Sequence, residues 1–236
     1  MIGIVSDIHG NYEALRTVLR ELKSLRVKTI VCLGDIAGYY SQINQCCETL
    51  RKMDVAAIMG NHDWYLVSGQ GCPRSNSANA CLDYQRRVIS PDNLKWLSSL
   101  PRKLSLKEIS MRHGGWDDPL DEYIKPSAEY FEGTGLKQKL FASGHTHVPY
   151  IWKSGAFIYC NPGSVGQPRD GNPEAAYALY DGESFTIRRE PYDIGATQKC
   201  MKEAGFTEYF YENLSSGTRI GGKIDTPETV YGSALP

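Results

Sequence analysis

The chain opens with Ile2-Gly3-Ile4-Val5-Ser6-Asp7-Ile8-His9-Gly10-Asn11. The β-branched apolar run predicts a buried strand, and it stops at two residue types that ligate metals, followed by a Gly-Asn turn. Asp7 and His9 are two positions apart, so a backbone extended through Asp7 would send both side chains off the same side. The same grammar returns in Val31-Cys32-Leu33-Gly34-Asp35 and in Ala57-Ile58-Met59-Gly60-Asn61-His62-Asp63. It returns again in Ile109-Ser110-Met111-Arg112-His113-Gly114-Gly115 and in Leu140-Phe141-Ala142-Ser143-Gly144-His145-Thr146-His147. Five strand ends delivering ligand-type side chains to one point is the reading that decides the fold.

The segments between these runs supply the rest of the architecture. Residues 12–25 place Leu15, Val18, Leu19, Leu22 and Leu25 three or four apart, which predicts an amphipathic helix with Asn11 as its N-cap. A strand at 27–33 completes a βαβ unit with parallel pairing, and a helix at 42–50 and a strand at 55–59 extend it. Residues 64–76, rich in Gly, Pro and polar side chains, read as a loop over the site. Helices are predicted at 79–88 and from Ser90-Pro91 through 97, where serine caps and proline takes the first helical position.

From about residue 102 the rhythm changes to short strands at 103–106, 108–112, 148–152, 156–160, 175–181 and 184–190. Hairpin turns fall at Lys153-Ser154-Gly155 and Asp181-Gly182. A parallel half followed by antiparallel strands packs most economically as an α/β, four-layer αββα sandwich, two mixed β-sheets face to face and flanked by helices. Asp193 caps a helix at 194–204, a second short helix is predicted at 207–214, and the Gly, Thr and Pro content of 215–236 reads as a loosely packed C-terminal tail. At 236 residues the expectation is one domain spanning 1–236.

Composition narrows the function classes. A hydrophobic fraction of 41% with 22% charged residues excludes a disordered or coiled-coil chain. A formal charge of −1 provides no long-range field to draw in a nucleic-acid backbone or an anionic membrane. Apolar runs are too short to span a bilayer, and the first strand begins at residue 2, so neither a membrane span nor a leader is expected. Seven cysteines without a CxxC pair form no disulfide or zinc framework, and a reducing, cytoplasmic setting is the expectation.

All five histidines, His9, His62, His113, His145 and His147, lie in the strand-end segments. Asp7, Asp35 and Asn61 add oxygen donors. A mixed carboxylate, amide and imidazole shell suits Mn, Fe, Zn or Ni better than calcium or a thiolate zinc site. The donors outnumber what one ion needs, so two divalent transition-metal ions sharing a carboxylate is the economical solution, with Asp35 the obvious candidate for the bridge. Such a pair clamps the attacking and leaving oxygens of phosphoryl transfer and makes hydroxide available near neutrality. Gly34, Gly60, Gly114 and Gly144 adjoin the ligands, where positive φ and close backbone approach are expected. No cysteine or serine has a convincing nucleophile setting: Ser6 lacks a dedicated base, and Cys72 and Cys160 read as loop and core residues.

Asp7-Ile8-His9, Gly34-Asp35, Gly60-Asn61-His62-Asp63, His113-Gly114 and Gly144-His145-Thr146-His147 resemble, in order, the five signature motifs of the calcineurin-like metallophosphoesterase superfamily. His113-Gly114-Gly115-Trp116-Asp117-Asp118-Pro119-Leu120 and Asn161-Pro162-Gly163-Ser164-Val165-Gly166-Gln167-Pro168-Arg169 resemble its small bacterial and archaeal phosphodiesterase branch. The resemblance runs from residue 2 to about 190. It implies that Asp7, His9 and His147 hold one ion, Asn61, His113 and His145 the other, and that Asp35 bridges them. It further implies that His62 contacts the phosphate and protonates the leaving alkoxide, and that Arg169 pairs with phosphate oxygens. The bland alternative for Arg169 is a solvated arginine beside Asp170.

Asp63 stands where the family often has Glu, and Gly115-Trp116 where the branch commonly shows Ser-Pro. The implied reaction is in-line attack of a metal-bridging hydroxide on a phosphodiester. Nucleotide pyrophosphohydrolase and phosphomonoesterase are the alternatives, and a non-catalytic metal-binding scaffold, which lacks the phosphate-side histidine, is the alternative of another class. The substrate is then a small-molecule phosphoester or nucleotide. Tyr39, Tyr40, Trp64, Tyr65 and Trp116 near the ligand loops offer stacking surface for a base or aryl group, lid packing, or contacts with a second copy in a homodimer.

Overall fold

Ile2–Val5 forms the first strand, β1, and all four residues are buried because they lie inside a sheet covered on both faces. The computed structural model describes residues 1–106 and 108–232. Helix α1 (Tyr12–Ser24), capped by Asn11, leads to β2 (Thr29–Cys32), which pairs parallel with β1. Helix α2 (Ile43–Lys52) leads to β3 (Ala56–Ala57), again parallel. Next come α3 (Asn61–Ser68), α4 (Asn76–Val88) and α5 (Pro91–Ser98).

Strands β4 (Leu104–Leu106) and β5 (Ile109–Met111) begin the second sheet; α6 (Ala128–Gly133), β6 (Leu140–Ala142), β7 (Tyr150–Ser154) and β8 (Phe157–Asn161) continue it. Strands β9 (Ala175–Tyr180) and β10 (Phe185–Glu190) return antiparallel to the first sheet, before α7 (Ile194–Glu203) and α8 (Pro227–Tyr231). The sheets read β10-β9-β1-β2-β3 and β4-β5-β6-β8-β7, each mixed and five-stranded.

Three apolar groups hold the layers. Ile2, Ile4, Val31 and Leu33 of the first sheet meet Ile109, Met111, Leu140 and Ala142 of the second. On the outer face of the first sheet, Val5 packs with Leu15, Val18 and Leu22 of α1; each such buried aliphatic side chain contributes about 1.5–3 kcal/mol. Outside the second sheet, Phe131 of α6 joins Phe141, Trp152, Phe157, Tyr159 and Tyr231. The four-layer sandwich expected from the sequence is the architecture observed.

Several local expectations are corrected. The predicted loop 64–76 begins inside α3, whose start is fixed by Asp63 Oδ2 accepting from Gly60 N at 3.0 Å. Helices α6 and α8 were not expected, and 207–214 forms two 3-10 turns, Glu208–Phe210 and Glu212–Ser215. The segment read as a loose tail is pinned: Thr218, Asp225 and Tyr231 are buried, and the Tyr231 hydroxyl donates to Val148 O at 2.8 Å. Residues 233–236 of that segment lie outside the described residues. The helices include none long and apolar enough to cross a membrane among the described residues.

Candidate functional site

The loops after β1 and β2 carry Asp7 and His9, and Asp35; the first turn of α3, which follows β3, carries Asn61 and His62; and the loops after β5 and β6 carry His113, His145 and His147. All these side chains are buried, at the same end of both sheets. The backbone is not extended through Asp7: φ is 53° there and 52° at His9, and Asp35, His145 and His147 also have φ of 53°, 70° and 64°. A left-handed conformation is unfavourable for residues with a Cβ, and the surrounding bonds enforce it. Asp7 N donates to Gly34 O at 3.0 Å, His9 N to Asp35 O at 2.9 Å and His145 N to Asp7 Oδ2 at 3.1 Å.

The expectation for the flanking glycines is corrected in part. Of the four, only Gly34 has a positive φ. At Gly60 the requirement is room, since a Cβ there would sit 2.1 Å from Asp35 Oδ1.

Ring orientation gives the donor set its character. His9 Nδ1 is 2.8 Å from Ala37 O, His113 Nδ1 2.8 Å from Leu33 O and His147 Nδ1 2.7 Å from Gln167 O. A carbonyl only accepts, so these nitrogens carry the proton, and Nε2 of each ring faces the site, as a lone pair wherever the ring is neutral. His9 Nε2 and His147 Nε2 are 3.0 Å apart, and His147 Nε2 is 3.3 Å from Asp7 Oδ1. His113 Nε2 faces Asn61 Oδ1 at 2.9 Å and Asp35 Oδ2 at 3.4 Å, and Asp35 Oδ2 is also 3.7 Å from His9 Nε2. Acceptors crowded this closely repel one another unless a cation lies among them, so the residues fit metal ions. Two groups, Asp7 with His9 and His147, and Asp7 with Asp35 and His113, each bring their donor atoms within 4.8 Å. His145 Nδ1 faces Asn61 Oδ1 at 3.1 Å beside the second group.

Electrostatics say the same. Burial lifts the Asp7 carboxyl to about 7 and drives the rings of His9, His145 and His147 well below the usual histidine range. Burial opposes charge at Asp35 too, but the neighbouring histidines, His113 above all, draw its carboxyl well below the usual carboxylate range. At His113 the desolvation cost is outweighed by Asp35 and Asp7, which push it up to about 10. A proton on His113 in the metal-free protein thus stands where a cation fits.

His62 is buried on the wall of a cavity of about 450 Å³ that also reaches Asp35, Asn61, His145 and His147. Its backbone N donates to Asp35 Oδ1 at 2.8 Å, while its Nδ1 has no hydrogen-bond partner among the described residues. Asp63 accepts from Ala37 N at 2.8 Å as well as from Gly60 N, so it sets the loop and helix start around His62. Arg169 lines the same cavity at 5% exposure, its Nε and Nη2 donating to Gln167 Oε1 at 3.0 and 2.6 Å. The solvated pair with Asp170 does not form, because Asp170 turns to Arg189 of β10.

Residues 1–184 match the profile of the calcineurin-like phosphoesterase superfamily domain. The chain belongs to that superfamily. An uncharacterized protein of Methanocaldococcus jannaschii is 32% identical, over 92% of this chain and 98% of its own. Phosphodiesterase YfcE of Escherichia coli K12 is 25% identical, over 77% of this chain and 88% of its own. The crystal structure of a metallophosphoesterase from Sphaerobacter thermophilus is similar with a TM-score of 0.81 at 32% identity, covering 92% of this chain and 98% of that one.

Within this calcineurin-like frame, the aromatic expectations separate. Tyr39 lines the cavity, 4.9 Å from the His9 ring, whereas Tyr40 is core and Trp116 packs on Phe131 and Phe141. Trp64 lies beneath the guanidinium of Arg102, and the Tyr65 ring is 5.8 Å from that of His62. Asn11 serves its helix, accepting from Ala14 N at 3.2 Å, and its amide donates to Gly166 O. Arg74, Tyr123, Gln167 and Arg219 are among the cavity residues that the sequence did not single out. Only Gln167 carried a signal, its place beside Pro168-Arg169.

Proposed function

We propose that this calcineurin-like protein is a metal-dependent phosphodiesterase acting on a small-molecule phosphoester or nucleotide. Asp7, His9 and His147 hold one divalent transition-metal ion (Mn, Fe, Ni or Zn), and Asn61, His113 and His145 hold a second. Asp35 serves both, which its reach to a histidine of each set supports. When bound, the cations supply Lewis-acid polarisation of the phosphoryl oxygens and a water acidic enough to attack near neutral pH.

The observation that carries the reading is the placement of His62 and Arg169 on one cavity wall. His62 lines the cavity with an Nδ1 that is buried and without a partner among the described residues, and Arg169 is a buried cation bonded to an amide. Buried guanidinium seeks an anion, and a phosphate meets that need with planar, charge-assisted bonds. His62, held down to about 4 by burial, is neutral at pH 7 in the metal-free protein. A phosphate beside it favours the imidazolium, so on substrate binding the ring takes a proton from solvent, which it then gives to the leaving alkoxide. Arg169 takes phosphate oxygens on the same side. A filled His62 position speaks against the scaffold alternative, and seven unpaired thiols support a reducing, cytoplasmic setting.

The test is an initial-rate panel of alkyl and aryl monoesters, diesters and pyrophosphate esters on protein reconstituted separately with Mn, Ni, Fe and Zn. Diesters are expected to have the highest kcat/KM with at least one metal. Turnover of none of them would overturn the proposal.

A further inference from the structure

The superfamily profile ends at residue 184, yet Arg219 and Ile220, far beyond it, form part of the cavity wall. They belong to a strap that is built in. Asp225 N donates to Arg169 O at 2.7 Å, the Tyr231 hydroxyl contacts Thr146 Oγ1 at 2.7 Å, and Asp225, 2% exposed, accepts from Arg219 Nε at 2.5 Å. A buried carboxylate therefore orients Arg219 over the cavity through Nε. Its two terminal NH2 groups make no hydrogen bond among the described residues, and its side chain is 37% exposed.

A second rim arginine is also held by a carboxylate, here through both terminal nitrogens. Arg74, ahead of α4, makes a two-pronged pair with Asp121, with Nη1 to Oδ2 at 2.7 Å. Its guanidinium is 5.9 Å from the centre of the Tyr123 ring, which itself lies 4.3 Å from the His145 ring. The cavity thus has ligand-type side chains and Arg169 at its base, tyrosine rings on its walls and two ordered guanidinium groups at its rim. One diester phosphate has a single negative charge, which the base accommodates. Two further arginines, each positioned by its own carboxylate, exceed what that phosphate needs.

We infer that Arg74 and Arg219 form a second anion subsite, and that the preferred substrates are nucleotide phosphodiesters carrying an additional phosphate away from the scissile one. This rests on the phosphodiesterase reading for its reaction, but not for its binding claim. The cavity volume of about 450 Å³ suits a ligand of nucleotide size.

The binding test compares thymidine 3′,5′-bisphosphate with thymidine 3′-phosphate on the Mn-loaded full chain by calorimetry. The bisphosphate is expected to bind about tenfold tighter or better at low ionic strength. That ratio is expected to fall towards 1 in Arg219→Ala and in Arg74→Ala. Taking the ratio within each variant cancels any effect of the freed Asp225 or Asp121 on the base of the cavity, and unfolding curves confirm that each variant is folded. Equal affinities in the wild type, or a ratio that survives in both variants, would overturn the subsite.

The kinetic test uses thymidine 3′-(4-nitrophenyl phosphate) with and without a 5′-phosphate. A higher kcat/KM for the 5′-phosphorylated ester, by about tenfold, is expected. If neither ester is hydrolysed while the bisphosphate still binds tighter, the phosphodiesterase reading falls and the subsite stands.

Discussion

His9 Nε2 and His147 Nε2 meet at 3.0 Å although 138 residues separate them, and each ring is locked from behind by a backbone carbonyl, of Ala37 and Gln167 respectively. The contact brings a loop of the first sheet against a loop of the second with lone pairs facing. Folding alone leaves that juxtaposition unfavourable, and a cation between the rings makes it favourable. The central claim is therefore that the sandwich is assembled around a charge it does not itself supply.

Asp35 is placed to matter twice. Its Oδ2 faces His9 and His113, and its Oδ1 accepts from His62 N. Asp35→Ala is expected to lose both ions and bring turnover to background, whereas His147→Ala loses one ion. Metal analysis of the two purified variants checks this; one tightly held ion in Asp35→Ala would place the bridge elsewhere.

His62 donates its backbone N to Asp35 but offers its ring to the cavity. His62→Gln is expected to keep both ions and to lose about 10²- to 10⁴-fold in kcat on an alkyl diester, with a smaller loss on a 4-nitrophenyl ester whose leaving group needs no proton. Equal losses on the two substrates, with metal retained, would remove the general-acid role.

The same substitution has a consequence for stability without metal. Burial lowers His62 from its ordinary value of 6.5 to about 4, so between those values the unfolded chain binds more protons than the folded one. The penalty is absent above pH 6.5 and complete below about 4. Relative to His62→Gln, metal-free wild type should lose on the order of 3 kcal/mol as pH falls through that window. Denaturant unfolding of both proteins at pH 7 and pH 4 measures the difference; an unchanging gap would contradict the burial.

Gly60 has φ of −95°, which alanine adopts without strain. Any effect of Gly60→Ala must then come from the Cβ, which would sit 2.1 Å from Asp35 Oδ1. Metal affinity should weaken by about tenfold or more, measured by competition with a chelator. Unaltered affinity would mean that Asp35 has freedom to move that its buried position denies.

What the sequence revealed, and what it withheld, follows from the range of the interactions. Strand-end grammar exposed the ligand-type residues because each sits next to its own apolar run, and every histidine was used up in doing so. Helix α3 was hidden because Asn61, His62 and Asp63 are buried polar residues, so its opening turn lacks an amphipathic rhythm; Gly60 followed three positions later by Asp63 was the available cue. The environment of Arg169 was undecidable beside Asp170 until Arg189, from a strand further on, claimed that acid. The strap carrying Arg219 has the composition of a tail, and it is fixed by contacts with residues distant in sequence, among them Arg169, Thr146 and Val148.

The most direct measurement is native mass spectrometry of the full chain, stripped of metal and titrated with Mn²⁺. The account predicts saturation at two ions per chain, with a rise in unfolding midpoint that tracks their uptake. Saturation with no bound ion, or ions bound without any change in stability, would contradict it.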